Sequence, residues 1–132
     1  MPLLWVFRHY VDENGLSDVR ATYESGSKEL RARFLSRLRT LAQLPPNEWH
    51  ETYCKALVGP CTGLSEIRFK ADKVQQRPLG FRSGQHEFTI LFWAKEKNSR
   101  FVPLSACERA LRRKAEVLGN KDRADDLWIA LE

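Results

Sequence analysis

The chain has 132 residues and a mass of 15.3 kDa, with 42% hydrophobic residues, 30% charged residues and a formal net charge of +5. These proportions exclude a disordered tail, which could not bury enough apolar surface, and the length suffices for a core without metal or disulfide staples. One domain over residues 1–132 is expected, and no apolar run approaches the roughly 20 residues that a membrane-spanning helix needs.

The charge is uneven. Residues 1–67 carry eight Lys/Arg against eight Asp/Glu, residues 68–114 carry twelve against four, and residues 115–132 carry two against five. The basic middle block attracts polyanions, whether nucleic acid or an acidic protein. Cys54, Cys61 and Cys107 leave one thiol unpaired under any disulfide scheme and form no C-x-x-C pair, which reads as a reducing compartment. Arg8 and His9 make the start too polar for a secretory leader. A cytoplasmic protein is expected.

In chain order, Leu3 to Val11 is rich in aromatic and β-branched residues and predicts a strand that stops at the turn-forming Asp12-Glu13-Asn14-Gly15. Ser17 can cap a short helix to about Glu24. From Ser27 to Leu44 the apolar residues Leu30, Phe34, Leu38 and Leu41 recur at helical spacing, with Arg31, Arg33, Arg37 and Arg39 off that stripe. Pro45-Pro46 ends the helix. Asn47 to Leu57 reads as another short helix.

The segment Gly63 to Lys97 holds the strongest strand signals. Ile67 and Phe69 alternate with Glu66, Arg68 and Lys70, which places the charged residues on a wet face. Arg77 to Arg82 predicts a second strand, joined through Ser83-Gly84-Gln85 to a third from His86 to Trp93. In that third strand Phe88, Ile90 and Phe92 face one way and Thr89, Leu91 and Trp93 the other. Ser105 and Glu108 then read as a capping box opening a helix with Leu104, Cys107, Leu111, Ala115 and Leu118 on one face. Gly119 closes it, and the apolar end Leu127 to Leu131 must fold back or meet a partner.

No metal-ligand cluster, P-loop or nucleophile elbow occurs, so no cofactor is expected. His9 and His50 read as structural or surface residues. The cations Arg68, Lys70, Arg77, Arg82, Lys95 and Lys97, with His86 and Trp93 close in sequence, read as a solvated face or as an RNA site. Metal-free RNA cleavage needs a base for the 2′-hydroxyl proton, cations for the phosphorane charge and an acid for the leaving 5′-oxygen. Arginine serves only the second need. Trp93 is a core residue on the strand reading and the aromatic available to stack a base on the other.

With these elements in order, the chain resembles the RelE/ParE superfamily of bacterial toxins, most closely its phage-derived HigB-like branch. The resemblance rests on a first strand, a helical pair and a G-L-x-E-x-R strand (Gly63, Leu64, Glu66, Arg68). An R-initiated strand from Arg77, a hydrophobic strand ending in Lys95 and Lys97, and a basic A-x-x-x-A helix complete it. It implies an α+β, RelE-like fold: a small, twisted, mainly antiparallel sheet backed by N-terminal helices, with a C-terminal helix. It implies the toxin of a type II toxin–antitoxin system, an endoribonuclease or mRNA interferase needing no metal and acting on messenger RNA in association with the ribosome. Arg68, Arg82 and Lys95 are the implied catalytic cations, and His86 stands in for an acid or base without an obvious owner. Lys70, Arg77, Lys97 and Trp93 are candidate RNA contacts. An antitoxin is the implied partner and a membrane is not. The alternatives are a ParE-like inhibitor of gyrase and a phage-derived binding protein without catalysis.

Overall fold

The aromatic, β-branched start forms β1 (Val6–Tyr10) in this computed structural model, which describes residues 3–132. Two helices follow, α1 (Asp18–Ser25) and α2 (Lys28–Ala42). Each begins at a serine: Ser17 Oγ accepts the Arg20 N–H at 3.1 Å and Ser27 Oγ the Leu30 N–H at 3.0 Å. These bonds satisfy first-turn donors that no helical carbonyl can reach. α2 buries Leu30, Phe34, Leu38 and Leu41, the stripe its spacing predicts.

The chain continues through β2 (Cys54–Ala56), β3 (Ser65–Ile67), β4 (Phe69–Ala71), β5 (Val74–Gly84), β6 (Glu87–Lys97) and β7 (Arg100–Val102). It ends with α3 (Ala106–Gly119) and β8 (Ala124–Asp126). The eight strands form one mixed sheet in the order β2-β3-β5-β6-β1-β8, with β4 added to β5 and β7 to β6. β1 runs parallel to β6 and antiparallel to β8. The architecture is α+β. Helices α1 and α2 pack with Phe69, Phe88, Ile90 and Trp93 on one face of the sheet, and α3 packs with Leu79, Phe81, Leu91 and Phe92 on the other. The apolar C-terminal end folds back on the first of these layers, where Leu131 is buried and Trp128 stacks on Phe34. His9 is buried beneath the edge of Trp128 with its Nδ1 2.7 Å from Ser17 Oγ, and that burial lowers its pKa.

Five local expectations change. The helix expected over Asn47–Leu57 is a 3-10 turn at Pro46–Glu48 followed by β2, because pairing Cys54 with Ile67 buries both at the sheet. The strand through Gly63 to Lys70 breaks at Arg68. Its two halves pair with β5 on either side of Pro78, at Glu66↔Leu79 and Phe69↔Gln76, so the ladder is interrupted opposite the residue with no N–H to give. Glu66, opposite Leu79 of the layer under α3, is buried instead of wet.

The hairpin turn is Gln85-His86, with Ser83 and Gly84 still in β5, and Gly84 has no positive φ. β6 does not alternate throughout. Leu79 pairs with Phe92 but Gly80 with Ile90, so Leu91 is a bulge residue. Phe92 therefore joins the α3 layer and Trp93 the α2 layer, the reverse of the simple alternation. Ser105 precedes α3 but its hydroxyl makes no cap bond, and the helix is rotated from the expected face. Ala106, Cys107 and Ala110 are buried, whereas Leu104 and Leu118 are 78% and 69% exposed.

Cys61 and Cys107 form a disulfide and Cys54 is free and buried. The bond removes the cysteine argument for a reducing compartment. Among the described residues no helix is long and apolar enough to cross a membrane. The bond ties the loop before β3 to the start of α3 across a sequence separation of 46. Closing a loop of that length constrains the unfolded chain, so reduction should lower the unfolding free energy by about 2–4 kcal/mol. Urea melts with and without a thiol reductant measure this. Coincident melts would mean that the cross-link contributes nothing.

Candidate nucleic-acid interface

The cations that the sequence groups together do not all meet: Arg68, Lys70 and Arg77 line one cavity, and the others lie elsewhere. Arg82 and His86 sit at the β5–β6 turn. There Arg82 donates to the Gln85 carbonyl at 2.7 Å and lies 5.4 Å from the Trp5 ring, with His86 edge-on to the same ring. Lys95 lies opposite Gln76, six residues along β5 from Arg82, or roughly 20 Å at ~3.3 Å per residue. A single face carrying Arg68, Arg82, Lys95 and His86 does not form, because the long hairpin separates its turn from its open end.

Two expected RNA contacts are also part of the structure's interior. Trp93 is 8% exposed and its indole N–H donates to Gln76 Oε1 at 2.8 Å, so the bulge at Leu91 has turned it into the α2 core. Arg77 is 3% exposed. Its Nε stands 2.8 Å from Glu66 Oε2 and 3.2 Å from Glu96 Oε1, and its remaining N–H groups donate to Gln76 O and Gln75 Oε1. Glu66 also holds Arg68 Nε at 3.4 Å. Burial raises the Glu66 pKa, and Arg77 and Arg68 offset only part of that cost. Lys95 and Lys97 are exposed near β7.

A different set does converge. Between α2 and β4 lie two cavities of about 430 Å³ and 490 Å³ that share Arg37, Phe69 and Lys70 as walls. The first is completed by His50, Glu51, Thr52, Arg68, Gln75 and Arg77, and the second by Ala32, Arg33, Ser36 and Thr40. The local sequence explains this. Arg33, Ser36, Arg37 and Thr40 recur at helical spacing beside the buried stripe, so they rim the face that α2 turns to β4. The turn holding His50 is fixed by the Tyr53 and Cys54 amides, which donate to the His50 carbonyl, and is docked on β4 by the Arg68 N–H to Tyr53 O bond of 2.8 Å.

Electrostatically the groove is cationic. Among the described residues Arg33, Arg37 and Lys70 form no ion pair, while Arg68 is oriented by Glu66 and by a 3.2 Å bond to the Glu51 carbonyl. Arg37 lies 4.5 Å above the Tyr53 ring, and burial with no adjacent carboxylate lowers its pKa. His50 Nδ1 accepts the Thr52 N–H at 3.1 Å, which leaves the neutral ring's proton on Nε2. The groove thus offers phosphate ligands and one imidazole. No group of three or more His, Cys, Asp or Glu able to hold a metal occurs among the described residues.

Local sequence signals mark Arg68, Lys70 and Arg77 of this lining and leave out Arg33, Arg37 and His50. The off-stripe spacing on α2 places Arg33 and Arg37 beside the buried stripe, but nothing local reveals that β4 lies alongside. Compared with family models, curated proteins and solved structures, the chain matches none.

Proposed function

We propose that the chain is a RelE/ParE-like toxin that cleaves messenger RNA without a metal, and that the groove between α2 and β4 is where it holds RNA. The observation that carries this reading is that Arg33, Arg37, Arg68 and Lys70 line two cavities sharing Arg37 and Lys70 as walls, with Arg33, Arg37 and Lys70 free of carboxylate partners among the described residues. Unpaired cations at a concave surface release counterions when phosphates replace them. The order of strand, two helices, strands and helix, to which the chain adds β8, supports the reading. Arg68 and Lys70 bind the phosphate flanking the scissile bond, and His50, the groove's imidazole, exchanges the proton. Arg82, His86, Lys95 and Lys97 fall outside this assignment. The partner that fits is an acidic antitoxin covering the groove.

Binding of single-stranded RNA measured against salt tests the assignment. Lys70→Ala should weaken binding about tenfold and reduce the slope of log affinity on log salt by about 0.7, one phosphate contact. Arg82→Ala should change neither. Arg68→Ala should in addition slow cleavage by about 100-fold, and cleavage by the parent should be indifferent to chelator. Equal loss in Arg82→Ala and Lys70→Ala would overturn the groove. Induced growth arrest with intact messenger RNA and DNA damage would favour gyrase inhibition, and harmless expression a binding protein without chemistry.

A further inference from the structure

We infer that Arg37 is a stacking platform for an unpaired base, so that the groove takes single-stranded RNA in preference to duplex; this rests on the RNA reading above. The guanidinium carbon of Arg37 stands 4.5 Å from the Tyr53 ring centroid, and the residue lines both cavities where they join. Other arginines also lie over rings: Arg82 donates to Gln85 O and Arg113 to the Asp18 carboxylate, so hydrogen bonds hold them in place, and Arg109, 5.7 Å from the Phe92 ring, lines neither cavity of the groove. Arg37 has no such anchor. Its Nε is buried without a partner, and among the described residues its guanidinium bonds to no protein acceptor.

A guanidinium is planar and stacks on both faces. With Tyr53 4.5 Å from the guanidinium carbon and the two cavities bordering the same residue, a second π system would enter from the cavity side, and a base is the π system that RNA supplies. Arg68 lines the first cavity and Arg33, one helical turn along α2, the second, with Lys70 beside Arg37 on their shared wall, so phosphates on both sides of the stacked nucleotide find cations. In a duplex the bases are stacked and paired inside, with no face to offer the arginine.

Fluorescence anisotropy with three RNAs tests this: a 12-nucleotide single strand, the same strand abasic at its centre, and a duplex. Inorganic polyphosphate serves as the charge-only competitor. The parent should hold the intact strand about tenfold more tightly than the abasic one. Arg37→Lys keeps the charge and the stem but not the plane. It should lose the same tenfold on the intact strand, nothing further on the abasic strand, and none of its polyphosphate binding. Tyr53→Leu, which removes the support beneath the guanidinium, should behave likewise, and a circular dichroism melt confirms that each variant is folded. Equal binding of intact and abasic strands by the parent overturns the platform while leaving the groove's charge intact. Loss of polyphosphate binding in Arg37→Lys overturns it too, since Arg37 would then act as a plain charge. A parent that holds neither RNA nor polyphosphate overturns the RNA reading itself and this inference with it.

Discussion

Arg77→Met is expected to lower the unfolding free energy by about 3–5 kcal/mol at neutral pH, the usual consequence of leaving a buried charge without its partner. Methionine preserves most of the stem volume, so the loss reports the charge. The residue that suffers is Glu66, whose side chain is 7% exposed and whose closest cation is Arg77 at 2.8 Å. Glu96, the second partner, has a side chain 30% exposed and can turn to water. Arg68 remains beside Glu66 at 3.4 Å but is itself one-third exposed.

The pH dependence follows from the sign of the Glu66 shift. Burial already raises its folded pKa above the ordinary 4.5, and removing Arg77 takes away the largest opposing influence and raises it further. A carboxyl with a raised folded pKa costs stability when ionised, and protonation in the folded state relieves that cost as pH falls through the folded pKa. The deficit of Arg77→Met should therefore be largest at neutral pH and shrink as the solution is acidified toward the unfolded value. Adding Glu66→Leu to Arg77→Met should recover most of the loss, because an apolar pair of similar volume often replaces a buried ion pair at little cost. Chemical denaturation of parent, single and double variants at several pH values measures all three effects. A single variant within about 1 kcal/mol of the parent would mean that Arg77 is dispensable to the fold, and its reading as an RNA contact would then have to be reconsidered.

Arg77 also shows where the sequence stops being informative about the site. Elements with their own local signals are legible: β1 from its β-branched and aromatic run, α1 and α2 from serine caps and a four-four-three spacing, and the β5–β6 pair from its length. What decides the site is which strand lies beside which. The alternation of Ile67 and Phe69 with Glu66, Arg68 and Lys70 correctly indicates extended backbone. It cannot show that a proline across the ladder splits that strand, or that Glu66 ends up buried. The +8 block likewise predicts a basic surface. Within it, however, lies a hairpin of two 11-residue strands, and its length places Arg82 and His86 far from Lys95. The cations of the groove come instead from two segments about 30 residues apart, α2 and β4, each of which looks like an ordinary solvated face when read alone.

The same limit applies to β6, where a glycine on the neighbouring strand sets which side chains reach which layer, and this makes Gly80→Ala the second large expected effect. A Cβ at position 80 would lie 2.3 Å from the Thr89 carbonyl oxygen and 2.5 Å from Phe88 Cε1. The ring of Phe88 is fully packed at 2% exposure, and the carbonyl is backbone in the paired strand, so neither can withdraw without opening the β5–β6 ladder beside the Leu91 bulge. Overpacking at such a contact is expected to cost about 3 kcal/mol or more. The bulge is what directs Phe92 toward α3 and Trp93 toward α2, so the variant should also lose the near-ultraviolet circular dichroism that a rigid Trp93 contributes. Gly119→Ala is the matched control: nothing lies within 4 Å of its added Cβ, and it should be neutral or gain up to about 1 kcal/mol in helix propensity. Trimming Phe88 to leucine in the Gly80→Ala background should not restore stability, because the Thr89 carbonyl still blocks the methyl group. Thermal melts that place Gly80→Ala beside Gly119→Ala would mean that the two strands do not approach as closely as described, and the division of Phe92 and Trp93 between the two layers would then fail with the bulge.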